Sequence, residues 1–147
     1  MSYMNDTVFT FDTNILIYAF DQQAQTRHKK AVYMIQKALT LNCILTLQAL
    51  SEFYYACTRK GLMPIQDALA QVKDWQTIFP IVLAKPHTLT RAILSVERYQ
   101  LGFWDAMLLE TARGAGVSIL FSEDFQDQQI IDGIQIMNPF IHEDFFK

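Results

Sequence analysis

Short apolar segments alternate with longer amphipathic ones along the chain, as expected for strands that alternate with helices. Residues 7–12 predict a buried strand, and the apolar run 15–20 predicts the next helix, with Thr13 and Asn14 as its cap. Across residues 27–41 the apolar positions recur at the spacing of one helical face. The beginning of the chain therefore predicts a strand followed by two helices.

The rest of the chain continues this alternation. Further strands are predicted at residues 43–47, 81–83, 117–121 and 134–137, and further helices at residues 48–60, after Pro64, and at 88–99 and 103–113. Short buried strands separated by helices predict a mainly parallel sheet covered on both faces. We therefore expect an α/β fold, a three-layer α/β/α arrangement around four to five short strands, in a single domain spanning residues 1–147.

Composition excludes several classes of protein. Hydrophobic residues make up 51% of the 147 residues, which is typical of a globular chain rather than a disordered one. No apolar run approaches the ~18 residues that a membrane span needs and no apolar leader opens the chain, so we expect a cytoplasmic protein without membrane association. Cys43 and Cys57 lie in apolar segments, which predicts buried, reduced thiols. The three histidines are scattered, which argues against zinc.

Acidic residues follow the predicted strands at the edge where parallel sheets bind ligands. Asp12 ends the first strand, Glu52 lies one helical turn past the second, and Asp124 lies in the turn after the strand at 117–121. Asp105 stands near the start of a helix, inside a strongly apolar stretch. Each acid also has an ordinary structural explanation, as a helix cap, the flank of an amphipathic helix, a first-turn acid or a turn former. Together they predict one cluster.

Four converging carboxylates repel one another unless a cation lies between them. Because no histidine or thiolate accompanies them, the expected cation is Mg²⁺ or Mn²⁺, as one or two ions. Such ions commonly bind phosphate groups and activate water, so a phosphate ester is the expected substrate. The net charge of −3, from 12 basic and 15 acidic residues, does not exclude a nucleic acid, because the four clustered acids account for it.

Four short motifs resemble, in order and spacing, the acidic motifs of PIN-domain ribonucleases: Phe11-Asp12-Thr13-Asn14, Ser51-Glu52-Phe53, Trp104-Asp105-Ala106 and Ser122-Glu123-Asp124-Phe125. The closing stretch, residues 120–140, is similar to the VapC-type toxins of bacterial toxin–antitoxin systems. Those relatives often carry a glycine soon after the Ser-Glu-Asp turn, where this chain has residues 126–129 without one.

The resemblance implies a PIN-like fold and a metal-dependent endoribonuclease. Its catalytic and metal-binding residues would be Asp12, Glu52, Asp105 and Asp124, supported by Asn14 and Ser122 through hydrogen bonds, with Asp127 as a fifth acid of lower rank. The implied substrate is a structured RNA, often tRNA or ribosomal RNA. The implied protein partners are a cognate antitoxin, which inserts a segment into the active-site groove, and a second copy of the chain in a homodimer.

Other functions remain open from the sequence. A stand-alone RNA-processing PIN nuclease is a close variant, and a catalytically silent PIN-like scaffold that binds RNA or protein belongs to a different class. A phosphatase that forms an aspartyl phosphate at Asp12 is less favoured, because Asn14 stands where a second aspartate is usual. No RNA-reading residue is identified; the basic candidates are Arg27, Lys29, Lys30, Arg59, Lys60, Arg91, Arg98 and Arg113, and the aromatic ones are Tyr54, Tyr55 and Trp104.

Overall fold

The computed structural model of the protein describes residues 6–142, 145 and 146. The remaining residues of the predicted 1–147 domain, at its two ends, lie outside this description. The six strands of the described part are β1 (Phe9–Phe11), β2 (Leu45–Thr46), β3 (Ile81–Val82), β4 (Ile119–Phe121), β5 (Ile130–Ile131) and β6 (Ile134–Met137).

Six α-helices lie between the strands. They are α1 (Thr13–Tyr18), α2 (Thr26–Ala38), α3 (Leu47–Arg59), α4 (Ile65–Ile78), α5 (Pro86–Tyr99) and α6 (Phe103–Gly114), with a short 3₁₀ helix at Gln22–Ala24. Within the described residues, no helix combines the length and the apolar character that crossing a membrane would require.

The central sheet has the strand order β1-β4-β6-β5, and only the β5–β6 pair is antiparallel. Strands β2 and β3 form a parallel pair, which a bridge between Cys43 and Phe9 joins to β1. The expected α/β fold with a mainly parallel sheet flanked by helices is confirmed. Strand β5 is an addition, joined to β6 by a two-residue turn in which Asp132 and Gly133 both have positive φ, 50° and 85°.

Helices α1 and α5 each begin two residues earlier than predicted. Helix α1 starts at Thr13, and its cap is the Asp12 carboxylate, which accepts the Thr13 backbone N–H at 2.7 Å, so the prediction of Thr13 and Asn14 as the cap is wrong. Helix α5 starts at Pro86 rather than at Thr88. Proline is tolerated in the first helical turn because its missing N–H would have no partner there.

Aromatic rings fill the core beneath the carboxyl ends of β1 and β4. The rings of Phe9, Phe11 and Phe121 are completely buried and lie 5.6–5.8 Å apart between centroids. Cys43 and Cys57 are also buried and free, as predicted. Strands β1 and β4 are buried along their whole length, which is the pattern of a parallel sheet covered on two faces.

A buried charged group connects α5, α6 and the β5–β6 turn. Glu110 of α6 is 2% exposed and accepts hydrogen bonds from Arg113 Nε at 2.8 Å and Ser95 Oγ at 2.9 Å. Ser95 Oγ also lies 3.3 Å from Asp132, whose other oxygen accepts from Tyr99 at 3.1 Å. Buried charges persist where they are paired, so this network sets the position of α6.

Replacement of Phe53 by alanine should strongly destabilise the protein. The Phe53 ring is buried on α3 and contacts Trp75 and Phe20 at centroid distances of 4.7 and 5.6 Å. Removing it leaves a cavity, and we expect the free energy of unfolding to fall by about 3–5 kcal/mol. Urea denaturation measures this loss. Leu94→Ala, at a side chain that is 64% exposed, should change the free energy of unfolding by less than about 1 kcal/mol. Equal losses in Phe53→Ala and Leu94→Ala would contradict the packing described for Phe53.

Candidate metal centre

Three carboxylates from distant parts of the chain converge at the carboxyl edge of the sheet. Asp12 follows β1, Asp124 follows β4, and Asp105 lies in the first turn of α6. One oxygen of each lies within 4.8 Å of the others. Phe11 and Phe121 are partners in the parallel β1–β4 pair, so the chain leaves both strands at the same level. Strand register therefore brings Asp12 and Asp124 together.

Asp12 is the buried member of this acidic group, with 6% of its surface exposed. Its Oδ2 accepts a hydrogen bond from the Ser122 hydroxyl at 2.7 Å, and its Oδ1 accepts the Thr13 N–H at the same distance. Burial raises the pKa of Asp12 to about 7, and the nearby charges of Asp124 and Asp105 add to that rise against the opposing hydrogen bonds. The two hydrogen bonds orient the Asp12 carboxylate, but they offset only part of the cost of burying its negative charge.

Asp124 is the exposed member, and the turn after β4 holds it. Its backbone N–H donates to Ser122 Oγ at 3.1 Å, and Asn14 Nδ2 donates to its Oδ2 at 3.2 Å. Ser122 therefore contacts both acids of the β1–β4 edge, because it donates to Asp12 and accepts from Asp124. The two side chains that the sequence predicted as supports, Asn14 and Ser122, both bond to acids of the group.

Asp105 completes the group from the neighbouring helix. It is half-buried, and burial raises its pKa, with further contributions from the charges of Asp124 and Glu52. Its place in the first turn of α6 is favourable for a carboxylate, because the amino end of a helix carries partial positive charge.

Glu52 lies beside this group rather than within it. The Glu52 side chain is exposed, and its neighbour Phe53 is buried. Gln48 Nε2 donates to Glu52 Oε1 at 2.7 Å and to the Trp104 carbonyl oxygen at 2.9 Å. This contact ties α3 to the start of α6, so Glu52 and Asp105 lie on adjoining elements.

Asp127 bonds to a different part of the molecule. Its two oxygens accept the Asn138 N–H at 2.7 Å and pair with His142 Nε2 at 2.8 Å. Burial raises the pKa of Asp127, but the hydrogen bonds from Asn138 and His142 outweigh it and the net shift is downward. Asp127 does not belong to the acidic group found among the described residues, and its contacts fix the loop after Asp124.

A second set of contacts at this edge has no local signal in the sequence. Glu123, beside Asp124, accepts hydrogen bonds from the Tyr18 hydroxyl and, at 2.9 Å, from Arg27 Nε. The Arg27 guanidinium also lies 5.3 Å from the centre of the Phe140 ring. These partners are far apart along the chain, which is why periodicity and spacing could not reveal them. They hold the turn that carries Asp124.

Two cavities open on either side of Glu52. One, of about 400 Å³, is lined by Asn14, Glu52, Tyr55 and Lys60 among others, and we name it the Tyr55–Lys60 cavity. The other, of about 730 Å³, is a mainly apolar groove lined by Leu47, Glu52, Leu83, Trp104 and Met107 among others, and we name it the Trp104 groove.

The residues at this edge fit a hard divalent cation. All three clustered side chains offer carboxylate oxygen, the ligand type that Mg²⁺ and Mn²⁺ prefer. Burial and neighbouring acids raise the pKa of Asp12 and of Asp105, and the hydrogen bonds to Asp12 offset this only in part. Among the buried side-chain oxygen and nitrogen atoms of the described residues, only Thr13 Oγ1, adjacent to Asp12, has no hydrogen-bond partner. Cation binding would relieve the carboxylate repulsion.

Comparison with protein families identifies this chain. The family model for the PIN domain matches residues 9–131, which contain β1, β4 and all three clustered acids. The chain therefore belongs to the PIN domain family, and the resemblance seen in its motifs is confirmed. No curated protein sequence matches the chain significantly.

Solved structures share the fold at low sequence identity. A toxin–antitoxin complex from Klebsiella pneumoniae contains a chain that is 22% identical, with a TM-score of 0.64 over 88% of this chain and 96% of that one. Mycobacterium tuberculosis VapC20, described as a toxin that cleaves the sarcin–ricin loop, is 14% identical, with a TM-score of 0.62 over 79% and 89%. DNA-bound VapBC from Salmonella typhimurium is 16% identical, with a TM-score of 0.63 over 90% and 98%.

Without a bound cation, Asp12 should make the protein less stable as the pH rises. The pKa of Asp12 is about 7 in the folded protein and has its ordinary value, 3.8, in the unfolded chain. Between these values the folded protein binds more protons than the unfolded chain, so the free energy of unfolding falls with increasing pH. Urea denaturation in EDTA across this pH range measures the slope.

Asp12→Asn removes the titrating group and should flatten that slope. Asp67→Asn, an exposed acid in the first turn of α4, changes the net charge equally and should retain the parent slope. A slope that is the same in Asp12→Asn as in the parent would contradict the burial argument.

Proposed function

We propose that this protein is a divalent-cation-dependent endoribonuclease and the VapC-like toxin of a type II toxin–antitoxin system. The observation that carries the proposal is the convergence of Asp12, Asp105 and Asp124, with oxygens within 4.8 Å, at the carboxyl edge of a PIN-domain sheet. A compact set of carboxylates in this position suits a cation that acts on a phosphodiester bond.

The proposed cation site uses Asp12, Asp105 and Asp124, with Glu52 at its rim, and holds one or two Mg²⁺ or Mn²⁺ ions. When bound, the cation would lower the pKa of water and stabilise the negative charge that develops on the phosphate. Ser122 would orient Asp12 through its 2.7 Å hydrogen bond, and Asn14 would orient Asp124. Such supporting bonds commonly contribute ~10–100-fold to metal affinity or activity.

Asp127 has a positioning role in this proposal. Its bonds to the Asn138 N–H and to His142 hold the loop that follows Asp124. We assign it no direct contact with the cation, because its two oxygens already have these partners.

The proposed partners are an RNA and an antitoxin protein, and the proposed location is the cytoplasm. We propose a structured RNA, such as tRNA or ribosomal RNA, as the substrate. The proposal is supported by the shared fold of VapC20, which is described as a toxin that cleaves the sarcin–ricin loop. An antitoxin segment suits the Trp104 groove, where Trp104 and Leu83 are 64% and 59% exposed beside Glu52. We further propose that the toxin is a homodimer.

Removal of Asp105 should abolish RNA cleavage. The purified protein, free of antitoxin, should cut RNA in the presence of Mg²⁺ or Mn²⁺, as measured by sequencing the new ends in a total RNA sample. Asp105→Asn and Asp12→Asn should reduce cleavage below detection, because each removes a charge from the group that would hold the cation. Ser122→Ala should reduce the rate ~10–100-fold.

Asp74→Asn, at an exposed position of α4, removes the same charge at a distance and should cut RNA at the parent rate. Circular dichroism checks that every variant is folded. Full activity in EDTA, or in both Asp12→Asn and Asp105→Asn, would overturn the proposed site.

Expression without an antitoxin should arrest bacterial growth. Induced parent protein should stop growth and produce discrete new RNA ends, while Asp105→Asn should permit growth at the same expression level. If cells that express the parent protein keep growing although it cleaves RNA, a stand-alone RNA-processing nuclease would be favoured. Absence of cleavage, with RNA or protein binding retained, would favour a catalytically silent scaffold.

A further inference from the structure

The Tyr55–Lys60 cavity has opposite charge at its two ends. Glu52 and Asn14 form the end that adjoins the acidic group, and Lys60 lies at the other end. Asn14 bonds to Asp124, so the cavity lies next to the candidate metal centre. Thr13, whose buried hydroxyl has no hydrogen-bond partner, also lines it. A ligand with negative charges spaced along its length would contact a bound cation at one end of the cavity and the Lys60 ammonium group at the other.

Lys60 is available for a ligand. It follows α3 at the C-cap position, eight residues after Glu52, and both residues line the same cavity. Along the helix axis this separation is about 12 Å. The Lys60 ammonium makes no hydrogen bond or ion pair with any residue in the described ranges, so binding a phosphate there would break no contact.

Tyr55 offers an exposed ring beside Lys60. It is 59% exposed and lines the cavity. The Arg59 guanidinium lies 5.4 Å from the ring centre and donates to the Tyr55 hydroxyl, which holds the ring in place. The adjacent Tyr54 lines a separate apolar cavity with Leu69 of α4 instead. Of two neighbouring tyrosines, only Tyr55 is placed to contact a ligand beside the acids.

We propose that the Tyr55–Lys60 cavity binds one unpaired nucleotide of the RNA, next to the bond that is cut. Its base stacks on Tyr55 and its phosphate pairs with Lys60. The volume of about 400 Å³ is within the range of small-molecule sites, about 300–1,000 Å³. Stacking and one charge contact are the means by which proteins hold unpaired bases without reading their sequence. This assignment rests on the proposed function.

Fluorescence anisotropy with a labelled single-stranded RNA of mixed sequence, about 12 nucleotides long, tests the subsite. All proteins carry Asp105→Asn so that the RNA stays intact. Lys60→Met should weaken binding about five- to tenfold and reduce the slope of log Kd against log salt by about one, as expected for one phosphate contact. Tyr55→Ala should weaken binding about tenfold, whereas Tyr55→Phe, which keeps the ring and loses only the Arg59 bond to its hydroxyl, should weaken binding less than Tyr55→Ala does.

Two matched variants control for charge and for helix position. Lys73→Met, at an exposed position of α4, removes the same charge, and Tyr54→Leu removes the neighbouring ring. Both should bind RNA within about twofold of the parent. Equal effects of Lys60→Met and Lys73→Met, or of Tyr55→Ala and Tyr54→Leu, would overturn the subsite, as would absence of binding by the parent.

Cleavage by the protein without Asp105→Asn is measured separately, so the two proposals can fail independently. If Lys60→Met and Tyr55→Ala cut RNA at the parent rate, the subsite proposal is wrong and the ribonuclease proposal stands. If RNA binding depends on Tyr55 and Lys60 but the protein never cuts RNA, the subsite proposal stands and the ribonuclease proposal is wrong.

Discussion

The parallel pairing of β1 with β4 is the constraint on which this molecule depends. It places Phe11 opposite Phe121, and therefore Asp12 opposite the turn that begins at Ser122. The Asp12 N–H extends the ladder by donating to the Phe121 carbonyl at 2.9 Å. Since side chains alternate between the faces of a strand, a one-residue slip would move these side chains to the opposite face. Burial of the phenylalanine rings opposes such a slip, so the hydrophobic core also aligns the acids.

Much of this arrangement could be predicted from sequence, because the carboxyl edge of a parallel sheet is a defined place. Asp12 and Asp124 each follow a buried strand, which is a local pattern, and parallel topology then brings them together. Asp105 was identifiable because an acid within so apolar a stretch requires compensation. The α/β architecture followed from the alternation of short apolar and longer amphipathic segments. These features depend on periodicity and on elementary electrostatics alone.

Other features depend on tertiary contacts that leave no local pattern. Helical spacing leaves the two neighbours Glu52 and Phe53 on adjoining faces of α3, and packing against Trp75 determines that Phe53 is the buried one. The Tyr18–Glu123 contact joins residues separated by 105 positions. Strand β5 is two residues long and depends on β6 for its pairing. Which tyrosine faces the acids likewise depends on where α4 packs.

The pairing of β1 with β4 also sets an order of events during synthesis. Asp12 and its hydrogen-bond partner Ser122 are 110 positions apart, so the ribosome adds Asp124 roughly 5–20 s after Asp12 at ordinary rates of elongation. Until then β1 has no β4 beside it, and Asp12 lacks both the serine that orients it and the aspartate that completes its group. A chain released by a stalled ribosome before residue 122 would carry Asp12 without Ser122 and Asp124. The chemistry of this edge therefore belongs only to chains whose synthesis has passed Asp124.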